Sequence, residues 1–382
     1  MILYEFEGKK LLSDKGIKVP PFQIVDSATN KVRIKFPLVL KAQVLSGKRK
    51  DAGGIIFVNK KEEFKSKVKK LLGKKINGEV VTEILAEEII KHRREFYLAL
   101  SYDTGRSGPV LTFSESGGTG IETRESKIVP LNILSPQKTK IALPTKIQKI
   151  LPKLIKSFLD NDLVLLEINP LVIDEKGNVY ALDAKVKLDD SAIGRHKEWT
   201  YSPRSIPGHN PTIREIAAKK IDEGDYRGTA GSTYIDLPGD IAVLASGGGA
   251  SLTAMDALVK AGGAPANYTE YSGNPSKEKV AKLTKIVLSK KGINGLWVVG
   301  AIANFTNIFE TLTGFVESLR NIKPKPEYPI VIRRGGPHDK EAFAMLRKVK
   351  DFDLHLYGEK TSIAESAKIV SRLAKKYAST KK

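Results

Sequence analysis

From residue 239 onward, short apolar stretches alternate with stretches of helical length, and this rhythm constrains the fold more than any other feature. Strands are predicted at DIAVLA (240–245), ANYTEY (266–271), GLWVVG (295–300), YPIVIRR (328–334) and FDLHLYG (352–358). Strands that are separated by helices run parallel, because each helix carries the chain back across the sheet. The sequence therefore predicts a flavodoxin-like, doubly wound parallel sheet over residues 238–382.

The first half of the chain also mixes strands and helices, in a less regular order. Strands are predicted at 36–44, 95–103 and 108–115, and amphipathic helices at 60–73 and 147–162. Residues 201–237 are rich in Pro, Gly and polar side chains, which predicts a connector containing one helix. We therefore expect an α/β protein with one domain over 1–200 and another over 238–382.

Composition excludes several classes of protein. The chain has no cysteine, so disulfides, thiol catalysis and cysteine metal sites are excluded. No apolar run reaches the ~18 residues of a membrane span, and the start MILYEFEGKKLL does not resemble a signal peptide, so we expect a cytoplasmic protein. The net charge is +21, but acids accompany the lysines, which favours a solvated Lys-rich surface over a nucleic-acid binder. Attraction of small polyanions or of an acidic partner is the alternative.

Two apolar stretches, LLEINPLVID and ALDAKV, contain polar residues that are unusual in buried strands. The intervening DEKGN is turn-like, and a hairpin centred on residue 176 places Asn169 opposite Asp183 and Glu167 opposite Lys185. All four side chains then share one face, although Pro170 can bulge the strand. Carboxylate and amide oxygens suit Mg²⁺. The alternative is a structural Glu167–Lys185 pair.

Charged residues also interrupt or end other apolar strands of the first half. Lys41 ends PLVLK, Glu87 follows ILA, and Glu95 opens EFYLAL. A lysine for phosphate and carboxylates for metal or ribose are what a nucleotide site requires. Singly, each residue is also compatible with a solvated strand end; together with the hairpin, they favour nucleotide binding.

In the second half, VLASGGGASLTAMDALVKAGG predicts a strand, a glycine turn and a helix. Such a turn presents backbone N–H groups to an anion. We expect Ser251 or Thr253 to cap the helix and Gly262 to end it. The third glycine of a dinucleotide fingerprint is missing. The alternative is that these glycines only form a tight turn.

Two further motifs lie at predicted carboxyl ends of strands in this sheet. AIANFTN begins another helix, in which Asn307 and Glu310 have capping-box spacing. VIRRGGP places Arg333 and Arg334 on opposite faces of a strand, so that one of them can face a ligand. An arginine beside helix amino termini suits a carboxylate or a phosphate.

These motifs resemble a known family. KAQVLSGKRKDAGG, FSESGGTGIE and LEINPLV…LDAK resemble the ATP-grasp half of the succinyl-CoA synthetase β-subunit family. ASGGGAS, EYSGNPS, AIANFTN and RRGGP resemble the citrate-binding part of ATP-citrate lyase and citryl-CoA synthetase. The resemblance spans nearly the whole chain and implies an ATP-grasp domain followed by a flavodoxin-like CoA-ligase domain.

The resemblance also implies site residues. For the nucleotide they are Lys41, Lys48, Arg49, Glu87 and Glu95, and for Mg²⁺ they are Asn169 and Asp183. For citrate they are Ser246, Gly248, Gly249, Ala250, Ser251, Gly273, Asn304, Phe305, Thr306 and Arg334. One departure is that GKRK (47–50) replaces the family's glycine-rich loop. Succinyl-CoA synthetases carry a GGIVRCD-like sequence where this chain has AIANFTN, which favours citrate.

Family chemistry passes phosphate from ATP to a histidine, then to the substrate carboxylate, and CoA attacks the acyl phosphate. None of the five histidines lies in the family's phosphohistidine setting; His209 and His338 are the nearest, and we expect ordinary surface histidines. No catalytic residue is therefore assigned to this chain. An α-type partner is expected to supply the phosphohistidine and the main CoA site, while the helix near Asn304 helps to cradle that phosphohistidine.

Several alternatives stay open on the sequence. The acid can be succinate instead of citrate, and the nucleotide can be ATP or GTP. The partner can carry a citrate-synthase-like lyase module, in which case citryl-CoA is cleaved to acetyl-CoA and oxaloacetate. From another class, the chain can be a non-catalytic anion-binding or regulatory protein on the same scaffold.

Overall fold

The structure is a computed structural model that describes residues 1–135, 138–139, 141–202, 204 and 207–381. The chain divides into two compact units, Met1–Asn210 and Pro211–Lys382. None of the helices in these described ranges combines the length and apolar character that crossing a bilayer requires.

The described part of the first unit contains two larger antiparallel sheets and a short antiparallel ribbon of β4 and β5. Its elements are α1 (Glu5–Asp14), β1 (Phe22–Val25), β2 (Leu38–Ala42), β3 (Ile55–Val58), α2 (Phe64–Leu71), β4 (Lys75–Ile76), β5 (Glu79–Val80), β6 (Ile84–Glu88), β7 (His92–Asp103), β8 (Gly108–Ser114), β9 (Lys127–Pro130), α3 (Thr145–Asp160), β10 (Leu163–Asp174), β11 (Val179–Ala181) and β12 (Lys185–Leu188). One sheet has the order β1-β6-β2-β3; the other has the order β11-β10-β7-β8-β9, with β12 also on β10. Helices α2 and α3 bury the apolar stripes that the sequence predicted, including Phe64, Val68 and Phe158.

The predicted pairing of Glu167 with Lys185 is confirmed, whereas the predicted pairing of Asn169 with Asp183 falls where the partner strand is interrupted. Glu167 pairs with Lys185, and Leu171 pairs with Ala181, so the turn is centred on residue 176. The partner strand is interrupted between Ala181 and Lys185, and β10 shifts its register against β7 between Ile168 and Leu171. Proline lacks a backbone N–H, so an irregularity beside Pro170 is expected.

The second unit is built on a parallel sheet. Its elements are α4 (Ile213–Lys219), β13 (Thr229–Ala230), β14 (Ile235–Asp236), β15 (Ile241–Ser246), α5 (Gly248–Lys260), β16 (Asn267–Tyr268), β17 (Glu270–Ser272), α6 (Lys277–Leu288), β18 (Gly295–Ile302), α7 (Ile308–Asn321), β19 (Ile330–Gly335), α8 (Asp339–Arg347), β20 (Leu354–Tyr357) and α9 (Ile363–Thr380). The parallel strands have the order β17-β15-β18-β19-β20, with β13 antiparallel at the β17 edge. Counted along the chain, this is the 2-1-3-4-5 order of flavodoxin-like folds, which confirms the prediction.

The prediction of a single strand at 266–271 is wrong, because this segment forms two short strands, β16 and β17. β16 pairs with β14 in a separate ribbon, and only β17 joins the parallel sheet. The side chain of Asn267 explains the break: its Oδ1 accepts from Val243 N at 3.0 Å, and its Nδ2 donates to Val243 O at 2.9 Å. The buried amide of Asn267 therefore hydrogen-bonds to the Val243 backbone on β15, where a neighbouring strand would otherwise pair.

The predicted connector at 201–237 also needs correction. Residues 211–237 contribute α4, β13 and β14 to the second unit, and the boundary lies after Asn210. Ala218, Ala230 and Tyr234 are buried in the core of that unit, although the segment as a whole is polar and rich in glycine. Of the predicted connector, residues 203, 205 and 206 lie outside the described residues.

Candidate functional site

Lys41 lies at the centre of a buried ionic cluster in the first unit. It is on β2, and its Nζ donates to Glu5 Oε1 at 2.9 Å and to the carbonyl oxygen of Leu182 at 2.6 Å, and it also contacts Glu87. Burial lowers the pKa of Lys41, but the charges of Glu5 and Glu87 outweigh this effect and leave the pKa raised. Lys41 is therefore a permanent cation.

Two members of the cluster, Glu5 and Lys9, were missed in the sequence. Both lie on α1 and are almost fully buried; Lys9 Nζ is 2.7 Å from Glu5 Oε1 and also contacts Glu87. Burial raises the pKa of Glu5, but Lys41, Lys9 and Arg49 outweigh it and hold that pKa well below its usual range. The i, i+4 spacing of Glu5 and Lys9 on a short helix was the available signal.

Arg49 joins the cluster from the loop after β2. Its Nη2 is 2.7 Å from Glu5 Oε2 and 2.9 Å from Asp183 Oδ2, and its Nη1 donates to the carbonyl oxygen of Ala42 at 3.1 Å. Its neighbour Lys48 is exposed and has a left-handed backbone, with φ of 57°. The lysine thus occupies a conformation that favours glycine.

Both predicted Mg²⁺ ligands belong to the first unit, and each has partners within the protein. Asn169 Oδ1 accepts from Gly118 N at 2.5 Å, and its Nδ2 donates to Gly118 O at 3.2 Å. Asp183 Oδ1 accepts from Ala184 N at 2.8 Å, while Oδ2 contacts Arg49. A carboxylate and an amide oxygen fit Mg²⁺, which usually takes its other ligands from water and phosphate. Among the described residues, no group of three or more His, Cys, Asp or Glu side chains is arranged so that it could hold a metal ion.

Glu95 lies beside the same glycine loop as Asn169. Its Oε1 is 3.2 Å from His92 Nε2, and a Cβ on Gly118 would come within 2.9 Å of its Oε2. Arg124 donates to the carbonyl oxygens of Gly117 and Thr119 and so holds this loop. The structure thus groups the predicted nucleotide residues in two places: Lys41, Arg49, Glu87 and Asp183 in the ionic cluster, and Glu95 with Asn169 at the loop.

Arg334 is the most unusual polar residue of the second unit. It is fully buried at the carboxyl end of β19, and all three guanidinium nitrogens lack a hydrogen-bond partner among the described residues. The guanidinium carbon lies 5.7 Å from the ring centre of Tyr271. A Cβ on Gly300 would lie 1.8 Å from Arg334 Nη1 and 2.9 Å from the Cβ of Ser246, so these three residues are adjacent. Because a buried unpaired cation is costly, this site calls for an anion.

The two neighbouring arginines differ in their contacts. Arg333 Nε donates to the carbonyl oxygen of Thr361 at 2.7 Å, and its Nη1 donates to that of Gly300 at 2.5 Å. Arg333 is thus paired with backbone carbonyls, whereas Arg334 has no hydrogen-bond partner among the described residues.

The amino terminus of α5 follows β15 directly and has no side-chain cap. The predicted cap by Ser251 or Thr253 is wrong, because each hydroxyl donates to a carbonyl of the preceding turn: Ser251 to Gly248 O at 2.6 Å, and Thr253 to Gly249 O at 3.1 Å. Gly248 and Gly249 are exposed, and Ala250 is partly exposed. The first-turn N–H groups of α5 can therefore meet an anion. The predicted end of the helix at Gly262 is confirmed by its φ of 72°.

The segment before α7 is held by hydrogen bonds. Asn307 Oδ1 accepts from Glu310 N at 3.0 Å, as predicted, but the Glu310 carboxylate contacts Arg227 at 2.6 Å. Asn274 Oδ1 accepts from Asn307 N at 3.0 Å. Three of the predicted citrate residues precede Asn307: Asn304 and Phe305 are exposed, and Thr306 is buried. Gly273 is next to Asn274 and has a left-handed backbone, with φ of 69°.

The histidines have ordinary contacts. His338 is exposed near Glu341, and His355 is 3.1 Å from Asp353. His196 stacks on Trp199, with 4.1 Å between ring centres, and is hydrogen-bonded to Asp162 and Glu198. These surroundings do not distinguish His196, His338 or His355 as a phosphoryl carrier.

Two family models match separate halves of the chain. An ATP-grasp domain model matches residues 2–173, and a model described as ATP citrate lyase citrate-binding matches residues 213–372. The β subunit of the ADP-forming succinate–CoA ligase of Methanocaldococcus jannaschii is 32% identical over 359 residues, which cover 89% of this chain and 92% of the relative. The chain belongs to the succinate–CoA ligase β-subunit family. The corresponding Bacillus subtilis subunit is also 32% identical, over 368 residues that cover 88% of this chain and 91% of that relative.

A solved structure shares the fold of this family member over its full length. ATP citrate lyase from Methanothrix soehngenii, in complex with citrate and coenzyme A, matches with a TM-score of 0.83 and 24% identity and covers 97% of this chain and 98% of that one. The match to the ATP-grasp model and the 32% identity to the Methanocaldococcus jannaschii subunit make the chain an acid–CoA ligase type of protein, and the ATP-grasp domain implies ATP and Mg²⁺. The predicted ATP-grasp and CoA-ligase halves are confirmed.

Proposed function

We propose that this chain is the ATP-grasp subunit of an acid–CoA ligase whose acid is citrate. The observation that carries the proposal is Arg334, a fully buried arginine without a partner among the described residues, at the carboxyl edge of the parallel sheet. Ligands of open α/β sheets bind at this edge. The match of residues 213–372 to a citrate-binding model supports the same assignment.

Each part of the second-unit site suits one property of citrate. The guanidinium of Arg334 can pair with one carboxylate through two parallel hydrogen bonds. The uncapped first turn of α5, from Gly248 to Ala250, offers backbone N–H groups to a second carboxylate. Asn304 and Thr306 add an amide and a hydroxyl that can bind the citrate hydroxyl group or the third carboxylate. Succinate has two carboxylates and no hydroxyl, so it would satisfy fewer of these groups.

The first unit would supply the phosphoryl group. Lys41 and Arg49 would contact the ATP phosphates, Glu87 and Glu95 would lie on the nucleotide side, and Lys48 would reach phosphate from the loop. Asn169 and Asp183 would hold Mg²⁺, which neutralises phosphate charge during transfer. These roles require Lys41 and Arg49 to exchange carboxylate contacts for phosphate contacts.

The chain would act together with a partner subunit. The surroundings of His196, His338 and His355 do not mark a phosphoryl carrier, and we assign the phosphohistidine and most of the CoA site to an α-type partner. Phosphate would pass from ATP to that histidine and then to citrate, and CoA would attack the resulting citryl phosphate. The uncapped α5 and the amino terminus of α7 would stabilise the developing negative charge.

The second candidate acid is succinate. The β subunits from Methanocaldococcus jannaschii and Bacillus subtilis are both named for succinate, and each is 32% identical to this chain. Against succinate, the segment before α7 is AIANFTN, which offers two amides and a hydroxyl within seven residues. The two acids are therefore the pair that an experiment must separate.

Calorimetric titration of the purified chain with citrate, and with succinate as control, tests the proposal. We expect citrate to bind and succinate to give no heat. Arg334→Met should abolish the citrate signal, whereas Arg347→Met, the same change at an exposed arginine on α8, should preserve it. Binding of succinate in preference to citrate would contradict the proposal.

A further inference from the structure

The ionic cluster contains a second lysine, Lys9, in addition to Lys41. Lys9 is fully buried on α1, and its Nζ contacts one oxygen of Glu5 and one oxygen of Glu87. These are the same two carboxylates that Lys41 contacts. Two buried carboxylates therefore share two lysines, of which only Lys41 has a proposed phosphate contact.

All the donor capacity of Lys41 is used within the protein. An ammonium group has three N–H donors, and Lys41 directs them to Glu5, Glu87 and the carbonyl oxygen of Leu182. A phosphate can bind Lys41 only if one carboxylate contact is released. Release would be costly if it left that carboxylate buried and unpaired.

We propose that Lys9 is a positioning residue: it stays paired with Glu5 and Glu87 and thereby frees Lys41 to bind the nucleotide phosphates. The inference rests on the proposed nucleotide binding by the first unit. When Lys41 and Arg49, which also contacts Glu5, both turn to phosphate in the wild type, Glu5 and Glu87 keep Lys9 as a positive partner and one excess negative charge. Without Lys9, they would keep two negative charges, which would hold Lys41 back.

A second substitution, Glu5→Gln, should compensate for the charge that Lys9→Met removes. Replacing Lys9 by Met removes the positive charge, and replacing Glu5 by Gln removes one negative charge at the same place. In the double variant, Glu87 is the charged member that remains when Lys41 and Arg49 turn to phosphate, so the excess is again one negative charge. The amide of the new glutamine can still accept a hydrogen bond from Lys41.

Isothermal titration with Mg-ATP on the full chain tests the inference. We expect Lys9→Met to weaken ATP binding at least about tenfold, which is the scale of losing one partner from a buried charge pair. Lys10→Met is the matched control, because Lys10 is the exposed neighbour on the same helix and the change in net charge is identical. It should bind ATP like the wild type.

The double variant Glu5→Gln/Lys9→Met should recover ATP affinity to within about threefold of the wild type, which a merely structural role of Lys9 does not predict. Equal ATP affinities of Lys9→Met and wild type would overturn the inference, and so would a double variant as weak as Lys9→Met. If Lys9→Met does not fold, the double variant decides: recovery supports the inference, and a tenfold loss overturns it. Absence of ATP binding by the wild type would overturn the proposed nucleotide site as well.

Discussion

Replacing Arg334 by Met should stabilise the second unit and abolish citrate binding at the same time. The guanidinium is fully buried, and none of its nitrogens has a partner among the described residues. Replacing buried ionic groups by apolar side chains of similar volume is often neutral or stabilises a protein by about 1–4 kcal/mol. The lost cation–π contact with Tyr271 offsets about 0.5–2 kcal/mol of this gain. We therefore expect net stabilisation on the order of 1 kcal/mol.

Citrate should make the wild type more stable than Arg334→Met. A ligand at 100 times its dissociation constant stabilises the native state by about 2.7 kcal/mol. The wild type should gain this stabilisation, whereas Arg334→Met should gain none. In buffer the variant should unfold at a temperature higher by roughly 2–4 °C, on the scale of a 172-residue unit (Pro211–Lys382).

The two tryptophans make the assay specific for one unit. Trp297 is fully buried in the second unit, and Trp199 belongs to the first. In a Trp199→Phe background, fluorescence therefore follows the unfolding of the second unit alone. Destabilisation of Arg334→Met by more than about 2 kcal/mol in the absence of citrate, the cost of losing a satisfied buried group, would refute the argument that Arg334 is unpaired.

Three further variants test other parts of the account. Gly300→Ala should weaken citrate binding at least about tenfold while sparing ATP binding, because the new methyl group would displace Arg334. An unchanged citrate affinity in calorimetry would contradict the placement of the guanidinium. Asp183→Ala should abolish ATP-dependent turnover of the assembled enzyme and leave citrate binding intact, and loss of both would refute two separate sites. His196→Gln tests pH dependence: burial lowers the pKa of His196, but hydrogen bonds to Glu198 and Asp162 outweigh it and raise the pKa above 6.5. The stabilisation from His196 is therefore complete below pH 6.5 and is lost as the pH rises through the folded-state pKa. In urea unfolding, the difference in unfolding free energy between wild type and His196→Gln should shrink toward alkaline pH. A difference that stays constant with pH would contradict the raised pKa.

Much of the fold could be predicted because local patterns agreed with tertiary packing. Alternation of apolar strands with helices gave the 2-1-3-4-5 sheet, and the turn at residue 176 gave the pairing of Glu167 with Lys185. The strand predicted at 266–271 failed because a buried side chain, Asn267, replaced backbone pairing on β15. No propensity scale contains such a contact.

The site was predicted in part. Periodicity and spacing drew attention to Lys41, Glu87 and Asp183, but Glu5 and Lys9 lie in a short helix whose sequence, EFEGKK, is that of a solvated surface. Their burial depends on contacts with β2 and β6, which are distant in sequence. The predicted helix cap at Ser251 was wrong because the Ser251 hydroxyl donates to the carbonyl oxygen of Gly248 within its own helix. It also contacts Tyr268 OH at 3.0 Å.

The most direct test of the central claim is the acid-dependent release of ADP by the chain assembled with its α-type partner. We expect ADP release in the presence of CoA to depend on citrate, with a kcat/KM at least about 100-fold higher than for succinate, because succinate leaves buried polar groups of the site unpaired. A kcat/KM for succinate equal to or above that for citrate would contradict the account and make the chain a succinate-activating subunit.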